Sequence, residues 1–244
     1  MEQRRICLTI GGSDSCGGAG IQADLRVFEA LGMRGCSAIT ALTAQNPKNI
    51  SRIEAVPLAQ LDAELHAIFD YYDVACVKTG MLLDGEHIAT VSAALSLLHD
   101  GKPLVVDPVM VSSSGVELLD AGGRQTMLQA LLPMTTLLTP NLDEAAVFLA
   151  RDVENPETDS QLLMQQLGCA ILLKGGHGKG DELCDVLCET DGNITPFTHP
   201  RLGWNESRAH GSGCRLAAAI AAYLALGNDL PESARQAIAL CTDA

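Results

Sequence analysis

Short apolar runs of strand composition alternate with helix-length segments along almost the whole of this 244-residue chain. Residues 6–10, 37–43, 74–77, 104–106, 136–138 and 170–173 are rich in Ile, Val, Leu, Cys, Ala and Thr, and a helix-length segment separates each from the next. Two of those segments show helical spacing plainly. Ile21, Leu25, Phe28 and Leu31 mark one face of the first, and Leu61, Leu65, Ile68 and Tyr72 one side of residues 58–71. Buried strands joined by helical crossovers make a parallel sheet covered on both faces. The expected fold is therefore α/β, a three-layer αβα sandwich with a mostly parallel central sheet. Residues 185–187 and 194–197, either side of Asp191-Gly192-Asn193, read instead as an antiparallel pair. With no linker, repeat or low-complexity tract, residues 1–244 read as one domain.

Aromatic residues are only 3% of the chain, so Ala, Leu, Ile and Val must fill its interior; hydrophobic residues at 47% exclude disorder. The formal charge is −14, from 16 Lys and Arg against 30 Asp and Glu. Such a surface has no electrostatic reason to bind nucleic acid or an anionic membrane. A phosphate compound would have to be held by backbone amides, a few basic side chains and a divalent cation. No apolar run is long enough for a membrane span. Met1 to Arg5 lead directly into the first strand-like segment, so no signal peptide is expected. The nine cysteines are odd in number and form no C-x-x-C pair, and Cys184 and Cys188 lack partner ligands nearby. This argues against zinc or disulfide frameworks and for a reducing cytoplasm.

Ligands of open α/β sheets bind beyond the carboxyl ends of the strands, and those ends carry the chemistry here. The strings are Gly11 to Gly20, Ala44-Gln45-Asn46, Lys78-Thr79-Gly80-Met81, Asp107-Pro108-Val109-Met110, Thr139 to Glu144, and Lys174-Gly175-Gly176-His177. Neither a complete G-x-G-x-x-G nor a G-x-x-x-x-G-K-[ST] is present, so any nucleotide is held another way. Asn141-x-x-Glu144 is formally a capping box, and the same two groups can order the water shell of a magnesium ion. Asp107, at the end of an apolar strand, needs a metal or a donor as partner. Lys174 is either a snorkelling surface lysine or a phosphate contact; Lys78, His177 and His210 are ambiguous alone. Ala209-His210-Gly211-Ser212-Gly213-Cys214-Arg215 precedes the apolar stretch 216–226. It aims backbone N–H groups and a helix N-terminus at one point, an anion hole, with Cys214 where that field favours the thiolate. A Gly-rich turn before a core helix with a buried cysteine is the plainer alternative.

In their order, these strings resemble the hydroxymethylpyrimidine/phosphomethylpyrimidine kinases of thiamine biosynthesis, in the ribokinase-like superfamily, with pyridoxal kinases as near relatives. Gly12-Ser13-Asp14, Gly17 to Asp24, Ile39 to Asn46, the four later strand-end strings and His210 to Cys214 carry the resemblance. It implies ATP-dependent phosphorylation of 4-amino-5-hydroxymethyl-2-methylpyrimidine and then of its monophosphate, with Mg2+, in a cytoplasmic homodimer. By position, the resemblance implies that Gln45 hydrogen-bonds the pyrimidine beside Asp14 and Ala19, while Met81 and Val109 wall the ring. It implies Asp107 and Glu144 for the metal, Asn141, Lys174 and Ser212 for ATP phosphates, and Gly211 to Gly213 for the anion hole. Cys214 takes the place of the base, where most ribokinase-like enzymes have Asp. The family pattern Thr-His-Gly-Thr-Gly-Cys-Thr is broken at Ala209, Ser212 and Arg215, and Cys16 stands where glycine is usual. Arg215 either reaches phosphates or points to solvent. Ile238 falls where relatives commonly carry a lysine near the nucleotide, and residues 175–180 read as a flap. Competing readings are a pyridoxal kinase and a non-catalytic pyrimidine-binding homologue.

Overall fold

A computed structural model describes residues 4–98, 100–112, 114–175, 182–201, 203 and 210–243. Gly176, His177, residues 178–180 of the expected flap and Ala209 lie outside these residues. The strands are β1 (Ile6–Asp14), β2 (Arg34–Asn46), β3 (Asn49–Ala55), β4 (Val74–Thr79), β5 (Leu104–Val106), β6 (Leu137–Leu138), β7 (Ala170–Leu173), β8 (Glu182–Cys188) and β9 (Ile194–Pro200). The helices are α1 (Gly20–Ala30), α2 (Leu58–Phe69), α3 (Gly85–Leu98), α4 (Ala121–Thr126), α5 (Leu142–Leu149), α6 (Pro156–Leu167), α7 (Ser212–Ala225) and α8 (Leu230–Asp243). They form one sheet in the order β3-β2-β1-β4-β5-β6-β7-β8-β9. From β2 to β7 every neighbouring pair is parallel, while β3, β8 and β9 add antiparallel edges.

Alternation along each strand builds the two outer layers. Leu8, Ile10, Val77, Leu104, Val106, Leu138, Ile171 and Leu173 pack with Leu61 and Leu65 of α2, Ile88, Val91 and Leu95 of α3, and Leu163 of α6. Their strand neighbours Cys7, Cys76, Val105, Leu137, Ala170 and Leu172 face the other way, onto α1, α7 and α8. In α7 the alanines 217, 218, 219, 221 and 222 are fully buried, and their small side chains bring that helix close against β1, β4 and β5. Local signals set the helix ends. The Asn155 side chain accepts N–H bonds from Glu157 and Thr158, Pro156 opens α6, and Gly168 closes it in a left-handed conformation (φ 74°).

Three expectations need correction. The strand expected over 6–10 runs on through Gly11-Gly12 to Asp14, with a register shift between Gly11 and Ser13. Ala44-Gln45-Asn46 is not a βα turn: β2 continues to Asn46 and returns as β3, a hairpin whose mostly exposed faces carry no core pattern. The buried face of α1 is Ile21, Ala23, Asp24, Val27 and Phe28, with Leu25 and Leu31 only partly covered.

Leu8 lies in the central strand and is fully buried, whereas Leu97 is 78% exposed. Leu8→Ala is expected to cost about 2–5 kcal/mol in urea unfolding, and Leu97→Ala within about 0.5 kcal/mol of nothing. Equal losses would contradict this layer assignment.

Candidate active site

β1 moves one way to β2 and β3, and the chain then returns to the far side of β1 as β4. This reversal opens a crevice at the carboxyl ends of β1 and β4, where the backbone N–H of Gly80 bonds Ile10. A cleft of about 1230 Å³ runs from there across the ends of β5, β6 and β7. Asp14, Ala19, Gln45, Met81, Val109, Asp107, Asn141, Glu144, Lys174 and Gly211 to Cys214 all line it. Every residue singled out for the site is thus brought to one cleft.

Two glycine conformations hold its floor together. Gly20 opens α1 with φ +57°, and a Cβ there would lie 2.3 Å from the Gly12 carbonyl oxygen. Gly211 precedes α7 with φ +76°, and a Cβ there would lie 2.1 Å from the Gly18 carbonyl oxygen. The first loop and the second turn therefore touch backbone to backbone, a contact only glycine permits. Among the described residues no side chain caps the N-terminus of α7, whose N-cap is Gly211, and a helix N-terminus of this kind suits an anion.

At one end of the cleft Asp14 accepts bonds from the backbone N–H of Cys16 (2.9 Å) and of Ala19 (2.8 Å) and from His210 Nε2 (3.0 Å). Burial works against its charge, but these donors and the Gln45 side chain hold its pKa down to about 2. The carboxylate therefore fixes the loop as well as facing the cleft. At the other end Lys174 Nζ lies 2.9 Å from Asp107 Oδ1, with Thr139 Oγ1 at 3.4 Å from the same oxygen. Lys174 is not a snorkelling surface residue, because its side chain is 13% exposed and its charge faces the cleft pair. Asp107 and Glu144 outweigh burial and raise its pKa.

Asn141 and Glu144 form the capping box in full: Asn141 Oδ1 accepts the Glu144 N–H, and Glu144 Oε2 the Asn141 N–H, each at 2.8 Å. Burial pushes the Glu144 carboxyl up to about 7; Lys174 opposes the shift and the charge on Asp107 adds to it. Glu144 and Asp107 are oxygen donors with more negative charge than Lys174 neutralises, which fits a hard divalent cation such as Mg2+.

Cys214 corrects the expectation of a favoured thiolate. Desolvation raises its pKa to about 11; Lys78 and the Gly20 N–H lower it, while Asp107 and Asp24 push it further up. Burial beats the helix field here. Sequence reasoning did not assign the pair beneath it, Lys78 and Asp24, which is buried and joined at 2.8 Å, with Thr9 Oγ1 2.6 Å from the same Asp24 oxygen. Both charges sit inside apolar patterns, Lys78 in a buried strand and Asp24 on the buried face of α1, and that misfit was the available signal. Arg215 donates to the His210 carbonyl at 3.0 Å, so its guanidinium ties down the turn.

Comparison with known proteins agrees with this fold. The chain is 43% identical over 232 residues to a hydroxymethylpyrimidine/phosphomethylpyrimidine kinase of Rhizobium meliloti (strain 1021), covering 93% of this chain and 85% of that protein. Its fold is similar to the crystal structure of phosphomethylpyrimidine kinase from Clostridium difficile 630, with a TM-score of 0.85 and 34% identity over 98% of this chain and 99% of that one. It is also similar to a pyridoxal kinase from Staphylococcus aureus solved with AMP-PCP and pyridoxal, with a TM-score of 0.85, 29% identity, and 98% and 87% of the two chains covered. The profile of the phosphomethylpyrimidine kinase family matches residues 14–244, and the chain belongs to that family.

Proposed function

We propose that this chain phosphorylates the hydroxymethyl group of 4-amino-5-hydroxymethyl-2-methylpyrimidine with ATP and then the resulting monophosphate, in thiamine biosynthesis. The observation that carries the reading is the meeting of anion hole and cation. A Cβ on Gly213 would lie 3.3 Å from Lys174 Nζ and 3.8 Å from Asp107 Oδ2. The N-terminus of α7 thus lies beside Lys174, where helix N–H groups and the lysine would clamp a transferring phosphoryl group next to the thiol of Cys214. Gln45, Met81, Val109, Asp14 and Ala19 give the pyrimidine a flat slot with polar groups at its edge. Asn141 and Ser212 face the phosphates. Asp107 and Glu144 would hold Mg2+, which supplies charge neutralisation on the ATP phosphates. No helix among the described residues is long and apolar enough to cross a membrane. Action as a homodimer in a reducing cytoplasm belongs to the same reading.

With burial pushing its pKa up to about 11, Cys214 is held as the neutral thiol at neutral pH. Phosphoryl transfer through a loose transition state asks little of a base before the bond to the leaving oxygen has lengthened. Cys214 therefore orients the substrate hydroxyl, and the buried Lys78 beside it is positioned to stabilise the thiolate if the hydroxyl proton is taken late.

Turnover of the pyrimidine alcohol and of pyridoxal with ATP and Mg2+ decides the substrate. Formation of the pyrimidine diphosphate is expected; efficient pyridoxal phosphorylation without pyrimidine turnover would replace the reading, and ligand binding without ATP consumption would make the chain a binding protein. Cys214→Ala should lower kcat by about 10²–10⁴-fold and leave ATP affinity unchanged. Gln45→Ala should instead raise the pyrimidine KM about tenfold. Glu144 gives a pH signature. Its carboxyl holds its proton up to about pH 7 and becomes a metal-binding carboxylate above it. The kcat/KM for MgATP should rise between about pH 6 and 8. Glu144→Gln should be slow and flat across that range; an unchanged rising limb in that variant would assign it to another group.

A further inference from the structure

Asp14, Cys16 and His210 meet where β1 ends. Asp14 Oδ2 lies 3.4 Å from Cys16 Sγ and 3.0 Å from His210 Nε2, and one donor atom from each side chain falls within 4.8 Å of the other two. A tetrahedral ion with bonds of about 2.0–2.3 Å to O, N and S sets its donors roughly 3.3–3.7 Å apart, so the cluster is nearly spaced for one. Asp14 is 2% and His210 6% exposed, while Cys16 is exposed and gives an ion its route in. The missing side chain of Gly18 makes room for the imidazole, since a Cβ there would lie 2.6 Å from His210 Cδ2. The Cys16 and Ala19 N–H groups already orient the carboxylate, as outer partners do in metal sites.

We propose that Asp14, Cys16 and His210 form a site for a thiophilic divalent ion of the zinc class, and that filling it inhibits the enzyme by engaging Asp14 at the pyrimidine slot. The inhibition rests on the placement of the pyrimidine beside Asp14 under Proposed function; the ion site does not. On binding, the Cys16 thiol proton leaves to solvent as the sulfur–metal bond forms. His210 gives up the Nε2 proton that it shares with Asp14 at rest and carries its single ring proton on Nδ1, so that the Nε2 lone pair reaches the ion, and nothing is oxidised or reduced. Mg2+ prefers hard oxygen donors and does not compete for the thiolate.

Cadmium is the probe, because a cadmium–thiolate bond absorbs in the ultraviolet. Titration of the full chain in excess Mg2+ should show one tight equivalent with this absorbance. Cys16→Ser and Cys16→Ala should weaken it at least about 10–100-fold while keeping basal turnover. Low micromolar Zn2+ should inhibit the wild type and spare both variants. Absorbance retained in the variants would place the ion on another thiol, such as Cys214, and overturn the site, as would absence of binding in the wild type. Cys16-dependent binding without inhibition would uphold the site and overturn the placement of the pyrimidine beside Asp14.

Discussion

After β2 and β3 are laid to one side of β1, the chain crosses back and adds β4 to β7 on the other. The crossovers diverge at that point, so no helix covers the carboxyl ends of β1 and β4, and a crevice is unavoidable. Every chemical group described above depends on this reversal. Asp14 ends β1, Lys78 lies in the last turn of β4, Asp107 follows β5, Asn141 follows β6 and Lys174 follows β7. Because neighbouring strands are parallel, groups far apart in sequence arrive at one edge of the sheet.

The cleft concentrates charge that the interior would otherwise reject. Lys78 with Asp24, and Lys174 with Asp107, are close ion pairs at 2.8 and 2.9 Å. Removing one member of such a buried pair typically costs about 3–5 kcal/mol, because the other is left unpaired. Glu144 is the surplus carboxylate; burial is the main cause of its raised pKa, the charge on Asp107 adds to it, and a bound divalent cation would lower it. Cys214 lies close enough to both pairs for their charges to act on its thiol, and its neutrality at rest follows from burial.

The layered α/β architecture was legible because the core strands are short and continuously apolar, as for 104–106 and 170–173. The ends of strands were less so. Gly11-Gly12 looks like a stop, yet β1 passes through it because β2 stays paired with it as far as Asp14, while the pairing with β4 ends at Ile10. The β3 arm of the β2–β3 hairpin is largely exposed, so its residues Asn49 to Ala55 show no buried face to read. For the site, strand-end polar strings found the cleft, but long-range partners were invisible: His210 reaches Asp14 across 196 positions and Lys78 reaches Asp24 across 54. Helix-field reasoning placed Cys214 correctly and misjudged its charge, since desolvation depends on packing that no local string encodes.

We place the transferring phosphoryl group between the α7 N-terminus and Lys174, with the accepting hydroxyl against Cys214. A crystal structure with the pyrimidine alcohol and a non-hydrolysable ATP analogue tests it most directly. The hydroxymethyl oxygen is expected within hydrogen-bond reach of Cys214 Sγ, and the γ-phosphate on the Gly211 to Gly213 N–H groups and Lys174. A γ-phosphate bound away from that turn, or a hydroxymethyl group pointing away from Cys214, would contradict it.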